Sequence, residues 1–297
     1  MDLAKGIIAP IITPMFEDES INERELKNQV NRLIEAGIHG IFAFGTNGEG
    51  YILSEAEKEL ILSVVIEENA GRLPIYAGTG CVSTKDTIRM SKMAKRLGAD
   101  VLSIITPYFA KASQEELYEH YEAVANAVDL PIVLYNIPDR TGNVLLPDTV
   151  ARLSEIDNIV GVKDSSGNVD NIFQYIEKTK NRDFSVLCGS DSLILQSLMA
   201  GGTGAISGCA NVFPRNMVGI YENYINNNLE EAQKCQDNIK SFRGCFQYGN
   251  PNTIVKTAVS MLGYPVGSCR RPFHQVSPEG RVAIEKVLRE NEQLGID

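Results

Sequence analysis

Asn158-Ile-Val-Gly-Val-Lys163-Asp-Ser-Ser-Gly167 is a short β-branched apolar run that ends on an amine and then breaks into a polar turn closed by glycine. A run this short, bounded by turn residues, reads as a strand buried on both faces, the kind found in a parallel sheet covered by helices. The carboxyl end of such a strand is where a parallel barrel delivers side chains into a pocket. An amine is nucleophilic only when deprotonated, and apolar burial lowers a lysine pKa, so Lys163 in that setting suits Schiff-base chemistry. On this segment alone the plainer reading, a surface lysine beside Asp164, is the stronger one, and the rest of the chain reverses that order.

Runs of the same kind recur at residues 6–13, 40–44, 74–77, 101–105, 131–134, 159–162, 185–187 and 204–206, each followed by an amphipathic or capped stretch. Eight strand-then-helix units predict a closed parallel barrel, the TIM (β/α)8 fold, over residues 1–210. Asn22 with Glu25, Ser54 with Glu57 and Ser113 with Glu116 have capping-box spacing at helix starts. After Asn22, Leu26, Val30, Leu33 and Ile34 make one apolar face, and Gly37 suits a left-handed helix end. From residue 211 to 297 the strand signal stops, and helices are expected at 228–246, 253–262 and 278–294, as the last barrel helices and a C-terminal helical extension. An open doubly wound sheet is the competing architecture, but no Gly-x-Gly-x-x-Gly follows the first strand.

The chain has 297 residues, is 43% hydrophobic and carries a net charge of -10, enough for one large core and opposed to nucleic-acid binding. Its apolar runs fall short of the roughly 18 residues a membrane span needs. The run at 6–13 contains Pro10, lacks a basic leader and leads into acidic residues, so it reads as a first strand rather than a signal core, and the protein as cytoplasmic. Six cysteines without Cys-x-x-Cys spacing read as free thiols.

The chemistry-bearing residues cluster after strands. Gly45-Thr-Asn-Gly-Glu-Gly50 follows the second strand, and its glycines let backbone N–H groups turn inward toward an anion. A carboxylate suits it better than a phosphate, because the Walker lysine is missing. Tyr135-Asn-Ile-Pro-Asp-Arg140-Thr-Gly142 follows the fifth strand, offering a phenol for proton transfer and a guanidinium for a carboxylate. With Lys163 one strand on, these supply base, anion clamp and nucleophile on neighbouring strands. His39, His120 and His274 form no metal-like cluster, no Gly-x-Ser-x-Gly elbow is present, and His39 belongs to the opposite barrel end in a structural role.

In order and spacing, Gly45-Thr-Asn-Gly-Glu49, Tyr135-Asn-Ile-Pro138, Gly161-Val-Lys-Asp164 and Asn250-Pro-Asn-Thr-Ile-Val-Lys256 resemble the dihydrodipicolinate synthase and N-acetylneuraminate lyase family of pyruvate-handling class I aldolases. The resemblance runs over essentially the whole chain. It implies that Lys163 forms an imine with pyruvate, that Tyr135 moves protons with Thr46 in the relay, and that the Thr46–Asn47 backbone holds the oxo acid's carboxylate. Gly189 and Ile206 would shape the pocket through their main chains, and no metal or diffusible cofactor is required. The Arg140-Thr-Gly ending is similar to that of dihydrodipicolinate synthases, implying a grip on the carboxylate of aspartate semialdehyde.

Two positions differ from the synthases' usual pattern: Phe109 stands where they carry the relay's second tyrosine, and Asn47 where they carry a hydroxyl. Asp191 and Ser207 are candidates for binding substrate hydroxyls. These features keep open a 2-keto-3-deoxy sugar-acid aldolase or dehydratase, an N-acetylneuraminate lyase-like enzyme, and a non-catalytic oxo-acid-binding barrel. The expected partners are a 2-oxo acid and an aldehyde, with no nucleic acid or membrane, in a homo-oligomer, tetramer or dimer.

Overall fold

Apolar runs of three to six residues pair in parallel as β1 (Gly6–Ala9), β2 (Gly40–Ala43), β3 (Ile75–Gly78), β4 (Val101–Ile105), β5 (Ile132–Asn136), β6 (Ile159–Asp164), β7 (Ser185–Cys188) and β8 (Gly204–Ile206). The structure, a computed structural model, describes residues 4–297. Each strand pairs with the next and β8 returns to β1, so the sheet closes into the expected barrel. Closure removes the sheet edges that an open doubly wound arrangement would leave.

Alternation along the strands sorts the side chains. Ile8, Phe42, Tyr76, Val101, Val133, Leu187 and Ile206 pack together inside the barrel. Ile7, Ile41, Ile75, Leu102, Ile132, Val186 and Ala205 belong to the larger core between sheet and helices. Both sets are fully or almost fully buried, which is why the strands read as continuous apolar runs.

The helix starts follow their side-chain signals. Ser54 and Ser113 form complete capping boxes with Glu57 and Glu116. Asn22 accepts from the Glu25 N–H, but the Glu25 carboxylate turns to Gln29 and Asn28, so that box is only half made. Gly37 takes the left-handed conformation at φ 85°. His39 sits at the amino end of the barrel, where its Nδ1 accepts from the Ile7 N–H and its Nε2 lies 2.9 Å from Glu222.

Two expected spans differ by more than two residues at an end. The first strand ends at Ala9, not at residue 13, because Pro10 has no N–H for the ladder. The helix expected over 228–246 is broken into Leu229–Asn238 and Lys240–Gly244, followed by a 3-10 turn at Cys245–Tyr248. The break buries both Ile239 and Phe242, and Phe242 meets Phe213 and Phe246 edge-on. Helix Pro251–Met261 starts at a proline capped by Asn250, and helix Pro278–Gln293 is capped by Ser277. Among the described residues, no helix is long and apolar enough to cross a membrane.

Candidate active site

Lys163 faces the barrel interior because β6 carries one residue too many. Opposite Ile132 and Val133 of β5 stand Ile159 and Gly161, a register shift of one residue. Ile159 and Val162 both pack in the outer core, with Val160 against the inner one, so two residues separate successive outward positions instead of one. Strict alternation from Ile159 would turn Lys163 outward; the bulge turns it in and sets it beside Tyr135, its register partner on β5. Asp164 then points the other way, onto Asn136, Ser166 and Asn171. The pairing of Lys163 with Asp164 on a surface is therefore not what the chain adopts.

The amine is enclosed. Lys163 is 4% exposed, and its Nζ lies 3.9 Å from the centre of the Tyr135 ring and 5.6 Å from that of Phe42. Among the described residues no carboxylate lies within ion-pair distance of it. Beside it, Gly189 is a steric requirement, since a Cβ there would come within 2.0 Å of Ser165 Oγ and 2.8 Å of Lys163 Cε.

Tyr135, 3% exposed, places its hydroxyl 3.0 Å from Thr46 Oγ1, and either oxygen can donate. Burial pushes this phenol up. The positive charge of Lys163 and hydrogen bonds with Thr46, Lys163 and Ser165 outweigh that and bring it below its ordinary value of 10.0.

The turn that carries Thr46 and Asn47 is held from below and from the C-terminal helices. Thr13 Oγ1 donates to the Gly48 carbonyl, Asn252 Nδ2 donates to the Thr46 carbonyl, and Asn47 Nδ2 donates to Asn252 Oδ1. Glu49, buried and left-handed at φ 59°, pairs with the buried Lys256 at 3.0 Å. The second Glu49 oxygen accepts from the Arg270 N–H, and Lys256 also donates to the Ser268 carbonyl. Asn252 and Lys256 lie in the 250–256 motif, but nothing in their spacing announced that they brace this turn.

A cavity of about 490 Å3 is lined by Thr46, Asn47, Tyr135, Arg140, Lys163, Gly189, Asp191 and Ile206. Eight of the nine residues singled out from the sequence therefore meet around one space. Ser207 does not line it: its hydroxyl donates to Asp191 Oδ1, so it orients Asp191 instead of facing a substrate. Arg140 is exposed and, among the described residues, has no carboxylate in ion-pair reach, so its claim on an anion rests on free charge at the cavity wall and not on the cost of burial.

Ser165, Asn252 and Arg243 also line this cavity without having been singled out. Arg243 reaches Asp191 at 3.6 Å from helix Lys240–Gly244, which no sequence separation could disclose.

Thr46, Tyr135 and Arg140 also border a second cavity of about 450 Å3 on the β2 to β5 side, with Tyr51, Ser103 and Tyr108 in its wall. Phe109 is 99% exposed at φ 79° and is not part of its wall.

Residues 3–291 match the family model described as the dihydrodipicolinate synthetase family. The 4-hydroxy-tetrahydrodipicolinate synthase of Methanopyrus kandleri is 39% identical over 295 residues, 98% of this chain and 97% of its own. The crystal structure of the chloride-inhibited dihydrodipicolinate synthase from Acinetobacter baumannii, complexed with pyruvate, superposes with a TM-score of 0.94 at 35% identity over 99% of this chain and all (100%) of its own. A structure described as the first monomeric dihydrodipicolinate synthase variant gives a TM-score of 0.94 at 32% identity, covering 97% of each chain. With a barrel of that shape, an enclosed lysine at its mouth and a family match over nearly its whole length, the chain belongs to the dihydrodipicolinate synthase family.

Proposed function

We propose that the protein is a pyruvate-dependent lyase that condenses pyruvate with aspartate semialdehyde, as a 4-hydroxy-tetrahydrodipicolinate synthase does. One observation carries the reading: an enclosed amine with no carboxylate beside it among the described residues, against a phenol whose hydroxyl is 3.0 Å from Thr46. Lys163 Nζ gives a proton to the Tyr135 oxygen and attacks the ketone carbon of pyruvate. The carbinolamine oxygen takes a proton from Tyr135 and leaves as water, forming the protonated imine. Loss of a methyl proton to the Tyr135 oxygen yields the enamine, whose carbon attacks the aldehyde. Throughout, the inward N–H groups of the Thr46–Asn47 turn hold the pyruvate carboxylate, and Arg140 takes that of the aldehyde. The chemistry is carried by the covalent link to Lys163 and calls on no cofactor.

The named relatives favour this over the sugar-acid, N-acetylneuraminate and non-catalytic readings. The commitment of Ser207 to Asp191 adds to that, since it leaves one fewer free hydroxyl for a polyol. Both a tetramer built from tight dimers and a single working copy remain compatible with the family, which includes a monomeric variant. Borohydride added with pyruvate should fix the reduced adduct on Lys163, and in a separate sample without borohydride aspartate semialdehyde should be consumed in stoichiometric step with pyruvate. A folded sample that neither traps pyruvate nor consumes the aldehyde refutes the proposal.

A further inference from the structure

The interior of the barrel holds one hydroxyl that its surroundings do not account for. Ser103 lies two residues beyond Val101 on β4, on the same inward face, and is 1% exposed. Among the described residues, none offers its Oγ a hydrogen-bond partner. Across the sheet it is flanked by Gly78 on β3 and Val133 on β5, neither of which offers a polar side chain. A buried hydroxyl without a partner costs about 1–3 kcal/mol, so this one needs a partner that the fold does not supply.

What it faces is the second cavity, whose wall it shares with Thr46 and Tyr135. At about 450 Å3 this space has room for several waters, each with roughly 30 Å3 of liquid volume, and the three hydroxyls are the kind of partners a buried water requires. Tyr51 and Phe273, 43% and 38% exposed, form its rim and connect it to solvent. Thr141, also in the wall, is already spent on Thr106, Ile137 and Asn143. On the side away from Tyr135, Thr46 Oγ1 meets no other side-chain hydroxyl among the described residues, and Phe109 carries no exchangeable proton.

We propose that Ser103 is a positioning residue that holds a chain of water in this cavity and so carries the proton relay from Tyr135 and Thr46 out to solvent. The inference rests on the imine chemistry proposed above. When the methyl carbon of the imine loses its proton to the Tyr135 oxygen, the phenolic proton moves to Thr46 Oγ1 as the threonine's own proton moves to the first water. Each later oxygen gains one proton and gives up one, so the net change is one proton from carbon to solvent. The reverse flow supplies the proton that the new alkoxide takes after carbon–carbon bond formation.

The test separates this inference from the reading it rests on. The protein is incubated with pyruvate alone in deuterated water and methyl exchange is followed by NMR, with borohydride trapping in parallel. In Ser103→Ala, trapping reaches the same end point at the same pyruvate concentration while exchange slows about 10-fold or more, in the range a general acid–base contribution reaches. Ser103→Thr, which keeps the hydroxyl, restores exchange. If Ser103 is only an orphaned hydroxyl, the alanine variant exchanges at the parent rate and melts at a higher temperature, and the proposal is overturned. It is equally overturned if Tyr108→Phe slows exchange and Ser103→Ala does not. Should the alanine variant fail to fold, Ser103→Cys, nearly isosteric with a weaker donor, reads the same slowing. Absence of trapping in the parent protein would instead remove the imine itself.

Discussion

Lys163 and Tyr135 divide one task between a base that must lose a proton and an acid that must return it. Lys163→Arg keeps the positive charge but cannot form an imine, because a guanidinium is not deprotonated in proteins. Mass spectrometry after borohydride should therefore show no pyruvate adduct on that variant. Because Tyr135 is held below 10.0, the protonated phenol that must assist loss of water is depleted as pH rises toward that value. The rate of trapping should accordingly fall on the alkaline side below pH 10, and Tyr135→Phe should trap more slowly by about 100-fold or more with that limb gone. A limb unchanged by the substitution would assign the titration elsewhere. Arg140→Ala, at an exposed position that no carboxylate claims, should lower kcat/KM for aspartate semialdehyde about 10- to 100-fold, the worth of a hydrogen bond to a charged group, and leave pyruvate trapping intact. Steady-state kinetics with the two substrates varied separately would show it.

At the scale of elements, the site depends on helix Pro251–Met261 holding the turn after β2. The tether is ionic and dry: Glu49 and Lys256 are 0% and 1% exposed. Removing one partner leaves the other charged and buried, so Lys256→Met should cost about 3–5 kcal/mol in a denaturant titration. Replacing both charges, Glu49→Gln with Lys256→Met, should recover part of that loss, and equal losses in the single and double variants would show that the pair is not the cause. Legibility at this scale was uneven. Ser54 and Ser113 declared their helices, because a capping box is a contact between residues three apart. The break near Ile239 did not declare itself, since it follows from where Phe213 and the barrel lie.

For the whole molecule, the packing of one helix on another sets an acid limit on stability. His120, on helix Gln114–Ala127, is buried with its Nδ1 2.8 Å from Thr84 Oγ1 of helix Thr84–Leu97 and its Nε2 without a partner among the described residues. Burial lowers its pKa from 6.5 to about 4. The unfolded chain therefore binds the extra proton first: the neutral imidazole's contribution is fully present above pH 6.5 and is lost as pH falls through 4. Melting temperature should drop across that window, and His120→Gln should flatten the drop; a profile of the same slope in the variant would place the acid sensitivity in another group.

The sequence by itself determined the barrel and which segments meet at its mouth, because strand and helix periodicities, caps and strand-end motifs are local patterns. Of the nine residues it singled out, eight line the Lys163 cavity. What only the tertiary structure decided is which way those side chains point. A single extra residue at the β6 bulge turns Lys163 inward, and no count of apolar residues along 158–167 reveals a register that exists only against β5. The same holds for Ser207, spent on Asp191, and for the solitary hydroxyl of Ser103. The direction of a side chain is set by its neighbours across the sheet, and those neighbours are assigned by closure of the barrel.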